Sequence, residues 1–160
     1  MISAATILFY DVVVAVHVMS IVIAFGVTFV YPVILPWMVN AHPEAMATAH
    51  AMQERIGRFV IMPFGTLALL TGIYLASDRD LFGEVWVIIS LVILVLLLGL
   101  GGAFFTPREK ALAAFAQRDL AAGTLSDEYH ASAKVLGIVG ALSSLLVLIA
   151  IFSMVAKPFA

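Results

Sequence analysis

The chain has 160 residues, 64% of them hydrophobic and only 11% charged, with a mean hydropathy of +1.15. A soluble domain carries roughly 25% charged residues, so this chain lacks the polar surface that keeps a globule in water and reads as an integral membrane protein. The net charge of −2 argues against a nucleic-acid role, and the absence of cysteine excludes disulfides, zinc–thiolate sites, iron–sulfur clusters and c-type haem attachment.

Four apolar runs, near residues 6–37, 58–77, 84–105 and 132–156, are long enough for a bilayer core, which takes about 20 helical residues. The first lacks a basic flank and outruns the h-region of a signal peptide. It is longer than a span needs, which implies tilt or projection into the headgroups, and Pro32 and Pro36 should kink or stop it. Residues 40–57 suit a helix with Pro43 in its first turn, lying at the interface before turning into the second span. Pro63 and Gly65 should bend that second span. A short polar turn, DRDLFG, leads to the third span. Residues 106–131 open with Thr106 as N-cap and Pro107 at N1; Gly123 ends that helix, and SDE at 126–128 begins the last one with acidic residues in its first turn. The expected fold is all-α: a transmembrane antiparallel four-helix bundle with interfacial cytoplasmic helices, forming one domain over residues 1–160.

Arg55, Arg58, Arg108, Lys110, Arg118 and Lys134 fall on the side of the two long connections, against Arg79 and Lys157 on the other. The positive-inside rule then places both termini outside a bacterial cytoplasmic membrane, with Trp37 and Trp86 at opposite interfaces.

Within YDVVVAVHVMSIVIAFGVTFVYP, Tyr10, His17, Ala24 and Tyr31 recur every seven residues, with Ser20 and Thr28 near the same line. That spacing marks one helix face and turns His17 inward, roughly 9 Å below Asp11. An intramembrane imidazole has three readings: packing by hydrogen bonds across helices, axial ligation of haem b, or a proton or ion path. Haem ligation needs neighbours at the same depth. Met154, near the end of the last span, is then the sixth-ligand candidate, and Ser20 and Tyr74 are cofactor neighbours. His50 and Glu54 share a face that reads as solvated and interfacial; His130 approaching His50 offers a second, weaker metal or haem site. Ala133, Gly137 and Ala141, with Gly140 and Ser144, read as small-residue packing for close helix approach.

The elements YDVVVAVHV, IMPFGTLALLTGIYL and IFSMVAKP resemble a bacterial family of predicted four-helix integral membrane proteins of unknown function. The histidine in the first helix is also similar to the pattern in membrane protoporphyrinogen oxidases and copper-resistance D-like proteins, some of which bind haem b. The resemblance implies a bundle with His17 as haem ligand. This chain departs from the oxidase pattern in reading VYPVILPW where that pattern has Trp and a YLPR-like continuation. The leading expectation is a small haem b membrane protein for electron transfer or redox sensing. The alternatives are a structural or assembly subunit of a larger membrane complex, or a homo-oligomeric proton or ion transporter using His17 and Asp11.

Overall fold

A computed structural model describes residues 9–158. The described residues fold as α1 (Phe9–Phe25), α2 (Tyr31–Ala41), α3 (Met46–Ile56), α4 (Met62–Asp78), α5 (Val85–Leu100), α6 (Thr106–Leu120) and α7 (Asp127–Ala156). These seven pieces make four rods, Phe9–Ala41, Pro43–Asp78, Val85–Leu120 and Asp127–Ala156, each long and apolar enough to cross a membrane. α1 packs on α4, α4 on α5, and α5 on α7, while α3 pairs with α6. This is the expected antiparallel four-helix arrangement.

The expected interfacial helices do not turn away from the spans. Each continues its span in the same rod. At 1.5 Å per residue the two 36-residue rods reach about 54 Å, against a bilayer core of about 30 Å. α3 and α6 therefore project beyond the spans at residues 58–78 and 85–105 as a paired extension. Its core is Met46, Ala49, Leu112, Ala116, Tyr129 and Leu136. The membrane core of Ala24, Phe25, Ala68, Ile93, Leu94, Leu97 and Val147 forms a separate cluster.

The rods stay continuous because Pro32, Pro63 and Pro107 are each preceded by a turn that makes room for the ring. A proline inside an α-helix clashes with the carbonyl four residues back and removes a hydrogen bond. A 3₁₀ turn at Gly26–Phe29 precedes Pro32, and π-turns at Gly57–Ile61 and Gly101–Phe105 precede Pro63 and Pro107. Pro32 therefore does not stop the first rod, and Pro36 lies inside α2 with its carbonyl accepting from Asn40 Nδ2 at 2.7 Å. Thr106 is not an N-cap. Its hydroxyl donates to the Gly101 carbonyl at 2.9 Å, repairing the π-turn.

Gly123 ends the third rod as expected, with φ at +86°. Ser126 caps α7 by accepting from the Tyr129 N–H at 3.3 Å. Asp119 locks this connection: its carboxylate accepts from the Ser126 N–H at 2.8 Å, the Ser126 hydroxyl at 2.6 Å and Arg118 Nε at 2.9 Å. These bonds hold its pKa down at about 2. At the opposite end, Arg79 lies over the Tyr10 ring (4.3 Å) and Lys157 over Trp86 (5.4 Å), so the first and last described turns and the 79–84 connection share one end of the bundle.

Candidate functional site

The polar face expected on the first span is real: His17, Ser20 and Ala24 are all buried. The His17 ring sits between α1 and α4. Nδ1–H donates to the Ala68 carbonyl at 2.8 Å and also meets Thr71 Oγ1 at 3.1 Å, which fixes the tautomer. The ring lies flat against α4 because residue 72 is glycine: a Cβ there would fall 3.0 Å from His17 Cε1 and 3.5 Å from Nδ1.

The other proposed haem residues do not gather around this imidazole. Ser20 spends its hydroxyl on its own helix, at the Val16 carbonyl 2.7 Å away. Tyr74 is 40% exposed and stacks edge-on against Phe9, eight residues from His17 along α1. Met154 is carried by α7, which packs on α5 in this region, where Ser153 donates to the Trp86 carbonyl at 3.2 Å. No cavity among those described is lined by His17, Ser20, Tyr74 or Met154. The geometry matches the packing role of His17, whose Nδ1 is held by the Ala68 carbonyl and Thr71.

The space lies toward the other end. A cavity of 420 Å³ runs from the membrane core to the extension, between α2 and α7, with α3 and α6 behind it. Its inner end is apolar, formed by Phe25, Ile61, Leu97 and Val147; its outer end carries Tyr31, His50, Gln53, Glu109 and Tyr129. The cavity exists because α2 contributes no buried residue and packs on α7 only lightly. The small residues Gly137, Gly140 and Ala141 on α7, expected to bring helices together, line the opening instead. A Cβ at Gly137 would meet nothing within 4 Å. Exposed Pro32, Pro36, Gly137 and Ala141 form a mouth on the side of the bundle.

His50 corrects another expectation. It is not on a solvated face but 2% exposed, with Tyr129, itself fully buried, 2.9 Å away from Nε2. Tyr129 has no other acceptor among the described residues, so its hydroxyl donates to Nε2 and the proton of the neutral ring sits on Nδ1. Burial drives the pKa of His50 down to about 4, with Gln53 pulling weakly the other way, so the ring is neutral. The same burial pushes the Tyr129 phenol up to about 12. His130 is exposed, and its ring packs against Tyr129 rather than His50. Among the described residues no group of three or more His, Asp or Glu is placed to hold a metal ion.

Four buried polar atoms along this cavity lie beyond normal hydrogen-bonding distance of any partner in the protein: Tyr31 Oη, Ser143 Oγ, and His50 Nδ1 with Gln53 Oε1, which are near enough to each other for Gln53 to raise the His50 pKa. Buried polar groups are satisfied in the great majority of cases, and each orphan costs about 1–3 kcal/mol. Four around one space mark a place built to receive hydrogen-bonding groups. The sequence carried a signal for it. Met46, Ala49, His50 and Gln53 lie on one face of α3, and Glu109, Leu112, Ala116 and Asp119 on one face of α6, at the spacing of buried stripes. Polar residues inside such a stripe, not only in an apolar span, are the ones to question.

No curated protein and no solved structure matches this chain, and nothing in the comparisons ties it to the protoporphyrinogen oxidases or the copper-resistance D-like proteins. The model of one family does match, over residues 11–158. With nearly the whole chain covered, and four apolar rods in the structure to agree with it, the protein belongs to the family described as predicted integral membrane protein DUF2269.

Proposed function

We propose that this protein binds an amphipathic small molecule drawn from the bilayer, with its apolar part toward Phe25, Leu97 and Val147 and its polar head against Tyr31, His50, Gln53 and Ser143. The observation that carries the reading is the set of four unpartnered buried polar atoms around one side-opening cavity. A volume of 420 Å³ is in the range of small-molecule sites, which are mostly apolar with a few convergent polar groups. The polarity gradient runs along the membrane normal, as it does in a lipid. The geometry favours this over a haem held by His17, whose ring is wedged against Gly72. Six of the eight basic residues lie at the extension end, which supports placing that end, and the head-binding groups, on the cytoplasmic side of a bacterial inner membrane.

The test is photolabelling in nanodiscs with a long-chain fatty alcohol carrying a diazirine in its chain, followed by peptide mapping. Labels should concentrate on α2 and α7 around Pro36 and Gly140, and Gly137→Phe, which fills the mouth, should abolish them. Labelling spread evenly over all lipid-facing helix surfaces, unchanged in the variant, would refute the site.

A further inference from the structure

Glu109 is 93% buried on the 7% exposure of its residue, yet it has neither a hydrogen bond nor an ion pair among the described residues. Its two charged neighbours in sequence are turned elsewhere: Arg108 lies over the Phe104 ring at 4.1 Å, and Lys110 reaches Glu54 at 3.5 Å. The carboxyl instead lines the polar end of the cavity. The groups facing it are Glu54 on α3, which disfavours its negative charge; Tyr31 on α2; His50, neutral, on α3; and Tyr129 on α7. His130 and Lys134 stand at the mouth, both exposed. Gly57, in the π-turn, brings the α3 backbone close, since a Cβ there would lie 3.9 Å from Glu109 Oε2.

A buried, unpaired carboxylate is costly, and it is neutralised either by a proton or by a cation. The cavity is open to a guest, and aromatic rings of Tyr31, Phe105 and Tyr129 are in its lining, as suits an organic cation. Resting on the amphiphile-binding reading, we infer that the head group taken by this site is a lipophilic monovalent cation, an amine or quaternary ammonium, which displaces a proton from Glu109 as it binds. The exchange balances in charge: the neutral carboxylic acid becomes a carboxylate paired with the guest, and the proton leaves to water. Burial, and secondarily the charge of Glu54, raise the Glu109 pKa to about 7, so the exchange falls in the neutral range.

The test uses the full chain in nanodiscs and two arylphosphorus probes, the cation tetraphenylphosphonium and the neutral triphenylphosphine oxide. By proton linkage, the cation should bind about tenfold more tightly at pH 8 than at pH 6, and release close to one proton per cation at pH 6. Glu109→Gln should bind it at least tenfold more weakly at pH 8, without the pH dependence, and should lose far more affinity for the cation than for the neutral probe. Cation binding that is equal in Glu109→Gln and wild type, or neutral-probe binding with no cation binding, would overturn the inference while leaving the cavity reading standing. Failure of both probes to bind would overturn both.

Discussion

Tyr129 and Tyr31 line the same cavity, and removing one hydroxyl from each should have opposite consequences. Tyr129 is fully buried and its hydroxyl is the partner of His50 Nε2 at 2.9 Å. Tyr129→Phe removes a hydrogen bond with a net contribution of about 1 kcal/mol and leaves a second nitrogen of a buried imidazole unpaired, for a total of about 1–3 kcal/mol. At about 2–4 °C per kcal/mol for a chain of this size, the midpoint should fall by about 2–12 °C. Tyr31 Oη has no partner in the protein, so Tyr31→Phe removes a desolvated group and loses no bond. It should leave stability within about 0.5 kcal/mol of wild type or raise it, while weakening capture of a polar head. Thermal unfolding of both variants in one detergent, without added ligand, decides between them. Equal destabilisation by the two would refute the assignment of Tyr129 as a structural hydroxyl and Tyr31 as a ligand-facing one.

Other substitutions probe separate parts of the molecule. Gly72→Ala should destabilise by about 1–3 kcal/mol through overpacking, because the new methyl meets a His17 ring anchored at Ala68; Gly65→Ala meets only the flexible tip of Leu98 at 2.8 Å and should be far milder, as paired melting curves would register. Glu109→Gln should be more stable than wild type at pH 8 and indistinguishable from it near pH 4. The Glu109 pKa is raised from 4.5 to about 7, so stability is lost as pH climbs through that window and the amide escapes the loss. His50 acts in the opposite sense. Its pKa is lowered from 6.5 to about 4, so stability falls as pH drops through that window, and His50→Gln should flatten the acid limb of a stability–pH curve. Asp119→Ala should release the 121–126 connection, seen as faster amide hydrogen exchange at Ser126 and Tyr129.

Much of this was legible because a bilayer imposes few solutions. The four spans, the inward face of His17, Gly123 and the start of α7 follow from length, period and turn chemistry alone. The rest depended on features that a single chain hides. Pro63 looked like a bend and Pro107 like the first residue of a new helix, but each follows a π-turn in a continuous rod, the second with Thr106 repairing a freed carbonyl. None of these has a spacing that announces it. His50 looked solvated because Glu54 shares its helix, whereas its burial is decided by Tyr129, 79 residues away. Gly137 and Ala141 looked like helix contacts, because small residues permit close approach and cannot say whether a neighbour takes it.

The prolines and the cavity have one cause. The 3₁₀ turn at Gly26–Phe29 lets the first rod continue past Pro32, with Thr28 donating to the Phe25 carbonyl at 2.6 Å. Beyond it, α2 packs on the extension core through Leu35, Met38 and Val39 and leaves space on both sides of that contact. The 420 Å³ cavity separates it from α7, and a second, apolar space of 280 Å³ separates it from α3. The π-turns at Gly57–Ile61 and Gly101–Phe105 face each other and carry α3 and α6 out of the membrane core. Each adds a residue to its helical turn and so rotates the face beyond it, which sets His50, Gln53 and Glu109 toward the cavity. The non-helical turns, rather than any one side chain, therefore shape the site, because they come just before the faces of α2 and α6 and just after the face of α3 that border the cavity.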